Sequence, residues 1–157
     1  MNKTRRVGLR ALLEQAGLDL GRITTESIGF GIGPRLNAAG RMDHASLALR
    51  LLLAEQEKEA RELASELERC NRQRQEVTRK MVEEAETQLW EQGYLNGSKP
   101  LPKALLLWSE HWSPALVGLV AGRFMERFSR PIVAIGQHEG NWIGSGRSFA
   151  TYDITHA

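Results

Sequence analysis

From Gln56 to Gln92 no glycine or proline interrupts the chain, and one apolar stripe recurs at helical spacing along the whole stretch. Ala60, Leu63, Ala64, Leu67, Cys70, Val77, Met81, Ala85 and Leu89 form that stripe, with Glu, Arg, Lys and Gln around it. At 1.5 Å per residue this predicts a rod of roughly 50 Å. A helix this long with a narrow apolar face either pairs with another helix or bridges two bodies, part of its length in water. The stripe drifts and uses small residues, which weighs against a regular coiled coil.

Charge is distributed by segment. Residues 45–93 carry eight basic and eleven acidic side chains, whereas the segments on either side are net basic. Within the long helix, five bases (Arg69, Arg72, Arg74, Arg79, Lys80) stand against one acid, Glu76, between two acidic blocks. Such a collar can attract phosphates. The reading preferred for the collar alone is a helix face solvated by Glu/Arg pairs at i,i+4. With 41% hydrophobic and 25% charged residues the chain reads as globular. The longest stretch of the second half with no charged or strongly polar side chain, Ala115 to Gly122, is far short of the roughly 18–20 apolar residues of a membrane span. The basic N-terminus has no apolar region behind it, so a secretory signal is not expected. Cys70 has no cysteine partner for a disulfide or a Cys-x-x-Cys site. A cytoplasmic protein without a membrane is the expectation.

Before the long helix, Val7, Leu9, Leu12, Leu13 and Ala16 predict a helix that stops at Gly17. Residues 28–44 hold Gly29, Gly31, Gly33, Pro34 and Gly40, which predicts a loop with fixed turns, followed by a helix restarting near Asp43 or His44 with Asp43 as its cap. Gly93 to Pro102 is the best candidate linker. Beyond it the pattern becomes strand (104–108), helix (114–128), strand (131–135) and a further strand (141–149). That order predicts a βαβ unit with parallel strands under the helix, and Gly118 and Gly122 would let the helix approach the sheet.

Two motifs could carry chemistry. In Gly33-Pro34-Arg35-Leu36-Asn37-Ala38-Ala39-Gly40-Arg41, two arginines flank an asparagine among small residues ahead of a helix. Small side chains admit a phosphate, a helix N-terminus offers N–H groups, and arginine offers a bidentate fork. A structural turn with Asn37 satisfying the backbone and surface arginines is the alternative. In Gly144-Ser145-Gly146-Arg147-Ser148, two glycines permit a close ligand or an anion-binding nest, with hydroxyls and a guanidinium alongside. A bulged edge strand would look the same. The histidines (His44, His111, His138, His156) are scattered, and no spacing suggests a metal site or a Ser-His-Asp or Cys-His arrangement.

Together, and at this separation, the two motifs resemble the RecJ-type single-strand-specific exonucleases of the DHH phosphoesterase superfamily. Residues 28–42 (IGFGIGPRLNAAGRM) resemble the family's loop ahead of its connecting helix, and residues 60–74, with Asn71 and Arg74, resemble that helix. WSPALVGLVAGR (112–123) and GSGRS (144–148) resemble the start of the DHHA1 nucleic-acid-binding domain. Where the family often has His and Gly, this chain has Ser113 and Ala115.

The resemblance implies an α/β (α+β) fold: an N-terminal helical segment and loop, a long connecting helix, then a partial βαβ-type DHHA1 lobe. Residues 1–44 would end the DHH catalytic lobe, 45–93 would be connecting helices, and 94–157 the first half of DHHA1. The family holds Mn2+ or Mg2+ on Asp-rich and Asp-His-His motifs that this sequence lacks, so the missing catalytic domain is an implied partner and the chain alone is expected to be inactive. Single-stranded DNA is the implied substrate, with Asn37, Arg41 and Arg35 on one side and Ser145, Arg147 and Ser148 on the other, sharing its backbone between them. The alternatives are a non-catalytic nucleic-acid-binding module and a DHH-family phosphodiesterase acting on short RNA or cyclic dinucleotides.

Overall fold

In the computed structural model, residues 1–150 and 152–156 are described. They form two compact units, Met1–Gln75 and Glu76–Ala157. The mixed α/β architecture expected from the sequence is observed.

Unit 1 is helical. Helix α1 (Val7–Gln15) ends in a Schellman motif at Gly17, where φ is 65°. Gly17 N–H donates to the Glu14 carbonyl and Leu18 N–H to that of Leu13. A π-helical segment (Ser27–Ile32) runs directly into α2 (Gly33–Met42), followed by α3 (Ser46–Leu53) and the first part of α4 (Glu57–Glu91). Leu12, Leu13, Ile32, Ala38, Ala39, Leu51 and Leu67 bury into a single core. Gly8 lets α1 lie against α3, since a Cβ there would stand 1.6 Å from the Leu51 carbonyl oxygen.

The loop expected over residues 28–44 is therefore corrected to helix over 28–42. Glycine costs a helix interior about 1 kcal/mol relative to alanine, and this density of glycines reads as a loop on propensity alone. Burial overrides it: Ile32, Ala38 and Ala39 are almost fully enclosed, and Pro34 occupies the first turn of α2, where proline is tolerated. The restart near Asp43 is corrected as well. Asp43 closes α2, its N–H donating to the Ala39 carbonyl, and α3 begins at Ser46 without a side-chain cap.

In unit 2 the remainder of α4 ends in a second Schellman motif, with Gly93 N–H on the Trp90 carbonyl and Tyr94 N–H on that of Leu89. The glycine-rich stretch that follows is an ordered turn, tied back by Lys99 N–H to the Gly93 carbonyl and by the Asn96 amide to the Trp90 carbonyl. Strand β1 (Leu105–Trp108), helix α5 (Pro114–Phe128), β2 (Ile132–His138) and β3 (Asn141–Arg147) complete the unit. The sheet order is β1-β2-β3, with β1 parallel and β3 antiparallel to β2. The expected βαβ unit is present. Strand β2 runs three residues past the expected Ile135, because Glu139 and Gly140, both at positive φ, make a two-residue turn that pairs His138 with Asn141.

One face of this sheet is closed and the other is open. Leu105, Leu107, Ile132 and Ala134 alternate inward and are fully buried, as are Leu116, Val117, Val120 and Phe124 of α5. Trp112 is enclosed with its indole N–H on the Glu84 carboxylate at 2.8 Å. The opposite face exposes Leu106, Trp108 and Trp142, the two indoles meeting edge to face at 5.7 Å. No helix is long and apolar enough to cross a membrane among the described residues.

Candidate nucleic-acid interface

On α2, Asn37 and Arg41 are four residues apart and so share one helix face, together with the glycine at 40. Asn37 is exposed and Arg41 half-buried. The motif was expected ahead of a helix whose N-terminus would offer free N–H groups, and it lies inside α2 instead. The π turn feeds α2 without a break, and Gly33 N–H donates to the Ile28 carbonyl. Any anion at this face meets side chains rather than a helix end.

Arg35 lies elsewhere. Its Nε donates to Glu68 Oε2 at 2.7 Å and its Nη1 to the Gly31 carbonyl at 2.6 Å. The two side chains are only 17% and 11% exposed, and the other Glu68 oxygen accepts from Arg72 Nε at 3.0 Å. Sequence reasoning passed over Glu68. Its spacing from Arg72 was visible, but its partner 33 positions earlier was not.

In unit 2, Ser145 and Arg147 point toward α5, because their β2 partners Ala134 and Ile132 are the inward residues of that strand. Arg147 Nη1 donates to Ser145 Oγ at 3.0 Å and to the Gly146 carbonyl at 2.7 Å. Gly118 of α5 faces this pair: a Cβ there would come within 3.1 Å of both Arg147 Nη2 and Ser145 Oγ. Gly122 meets nothing and has no such role. Neither Gly144 nor Gly146 has positive φ, and β3 pairs residue for residue with β2. The nest and the bulge are therefore both replaced by a regular edge strand. Its glycines serve close packing, Gly144 against Ile135 and Gly146 against Ile154. Ser148 follows the strand, and its Oγ is buried with no hydrogen-bond partner.

The basic collar of α4 is consumed locally. Arg69, Arg72, Arg79 and Lys80 each pair with a glutamate of the same helix, and Arg74 donates to Asn71 Oδ1. Hydrogen bonding from Arg79, chiefly, pulls the Glu76 carboxyl below its ordinary pKa. This is a solvated helix face. Among the described residues no group of three or more His, Cys, Asp or Glu could hold a metal ion, so these residues do not fit a divalent-cation centre. His111, His138 and His156 instead lie beside local carboxylates.

The Bacillus subtilis single-stranded-DNA-specific exonuclease RecJ is 36% identical over 156 residues, which is 98% of this chain, and the Escherichia coli RecJ is 43% identical over 91% of it. The chain is similar to a segment of RecJ. Its fold agrees with the crystal structure of Thermus thermophilus RecJ in complex with Mg2+ at a TM-score of 0.80, 33% identity and 98% coverage of this chain. A RecJ exonuclease structure bound to manganese superposes at a TM-score of 0.73 over 96% of it. No family model matches. The chain spans 19% of the B. subtilis RecJ and 25% of the E. coli RecJ, so it corresponds to one segment of those proteins.

Proposed function

We propose that this chain is the segment of a RecJ-like 5′→3′ single-stranded-DNA-specific exonuclease that grips the DNA backbone. Hydrolysis in repair and recombination then belongs to the metal-bearing part of a catalytic lobe, which lies outside it, and the protein works in the cytoplasm. Residues 1–44 close that lobe, 45–93 connect, and 94–157 open the DHHA1 domain. The observation that carries this reading is the match to single-strand-specific exonucleases over 98% of the chain.

The chemistry assigned to the chain's own residues is positional. Arg41 and Arg147 supply guanidinium forks to phosphate oxygens, while Asn37 and Ser145 add polar contacts beside small residues that let the backbone come close. Such contacts hold a strand in place without reading its bases. Ser148, expected beside them, has its Oγ buried and adds no contact to a strand as it stands.

Fluorescence anisotropy with a labelled single-stranded oligonucleotide tests this. At low salt the chain binds, and Arg41→Ala and Arg147→Ala each weaken binding and reduce the salt slope by about 0.7 for every phosphate no longer neutralised. Affinities unchanged in both variants would overturn the backbone-binding role. With Mn2+ added, the purified chain is expected to leave the oligonucleotide intact. Hydrolysis that co-purifies with it would remove the need for a separate catalytic lobe.

A further inference from the structure

We infer that Glu68, acting through Arg35, sets the rotation of α2 and so aims the Asn37/Arg41 face, which makes Arg35 a positioning residue instead of a phosphate ligand. This rests on the backbone-binding reading above.

Arg35 and Asn37 are two residues apart, about 200° around a helix, whereas Asn37 and Arg41 are about 40° apart. Arg35 therefore points inward when the other two point outward. Its guanidinium links three elements: Gly31 of the π-helical segment through a carbonyl, α2 through its own backbone, and α4 through Glu68. The remaining inward contacts of α2 are made by the fully buried Ala38 and Ala39 and by the partly buried Leu36 and Met42. Hydrophobic contact has no intrinsic direction and so gives no strong preference for one rotation of the helix over its neighbours. A charge-assisted bond at 2.7 Å with a defined direction does give one. A phosphate brought to Arg35 would also have to sit beside the Glu68 carboxylate, which is itself held by two guanidinium groups.

The sign of one substitution separates the two roles. Glu68→Gln removes a negative charge near the proposed DNA face, so electrostatics alone would tighten the binding of a polyanion. Positioning demands the reverse: binding weakened at least threefold, with the salt slope unchanged. Arg35→Lys keeps the charge but loses the fork, and it should weaken binding as much as Arg35→Ala does. The double variant Arg35→Ala/Glu68→Gln should be no worse than the weaker single one, because both remove the same link. Amide hydrogen exchange supplies a readout independent of DNA: Glu68→Gln should speed exchange across residues 27–42 and leave α5 at the wild-type rate.

Tighter or equal binding in Glu68→Gln with unchanged exchange would overturn the inference. So would a salt slope lowered in Arg35→Ala and retained in Arg35→Lys, which would mark a direct phosphate contact. Arg41→Ala serves as the control for the parent reading. If it binds like wild type, the DNA role of α2 fails by itself, and exchange over 27–42 alone decides whether Glu68 holds the helix.

Discussion

The two units carry their arginines on different supports. In unit 1, Arg41 rides on a ten-residue helix whose inward face combines two alanines, Leu36, Met42 and one buried ion pair. In unit 2, Arg147 rides on an edge strand locked to β2 by seven paired residues, with α5 packed above it. A helix can roll about its axis, so its outer residues depend on a directional contact far away in sequence. A strand cannot roll without exchanging its faces, so its residues depend on how closely the covering helix comes. The same chemical group thus has a remote determinant in one unit and a local one in the other.

The contrast is sharpest in the glycines at close approaches. Gly8→Ala puts a methyl group into the Leu51 carbonyl, and Gly136→Ala puts one 2.2 Å from the Trp112 carbonyl. Both neighbours are backbone and cannot swing aside, so each change should destabilise its unit by about 3 kcal/mol. Urea unfolding followed separately in each unit checks this, and loss of both units from either change would show that they do not unfold independently.

Gly118→Ala tests the local determinant. The added Cβ meets the ends of Ser145 and Arg147, which are flexible, so thermal stability should fall by less than about 1 kcal/mol. Single-strand affinity should fall several-fold, as the guanidinium is pushed from its place. Equal affinity in this variant would detach Arg147 from any site shaped by α5.

Smaller effects come from the hairpin and the α5 terminus. Glu139 and Ser129 adopt left-handed backbone at φ of 49° and 51°, a conformation that favours glycine or asparagine. Glu139→Asn and Ser129→Gly should each stabilise unit 2 by about 0.5–1 kcal/mol, measured as a raised melting temperature with binding unchanged.

How much of this was legible in the sequence depends on the range of the forces involved. Helix α4 was plain because its stripe repeats over thirty-five residues. The βαβ order was plain because each strand is a short apolar run between turn residues. The helix over 33–42 was hidden, since local propensity argues against it and only burial of Ile32, Ala38 and Ala39 reverses the balance. Among the site residues, the outward placement of Asn37 and Arg41 follows once that helix is known. The capture of Arg35 by Glu68 does not, because nothing local marks a pair 33 residues apart. Likewise the turn at Glu139-Gly140 lacks the Asn-Gly signal that would have announced it.

All four tryptophans and both tyrosines fall after residue 75, whereas the sole thiol, Cys70, falls before it. Burial, above all, pushes that thiol above its ordinary pKa, so in the folded state it should resist alkylation near neutral pH until its surroundings open. The molecule therefore comes with two orthogonal reporters: indole emission follows the chromophore-bearing half, and maleimide capture times the opening of the other. A denaturation series read in both channels resolves the halves without any label being engineered.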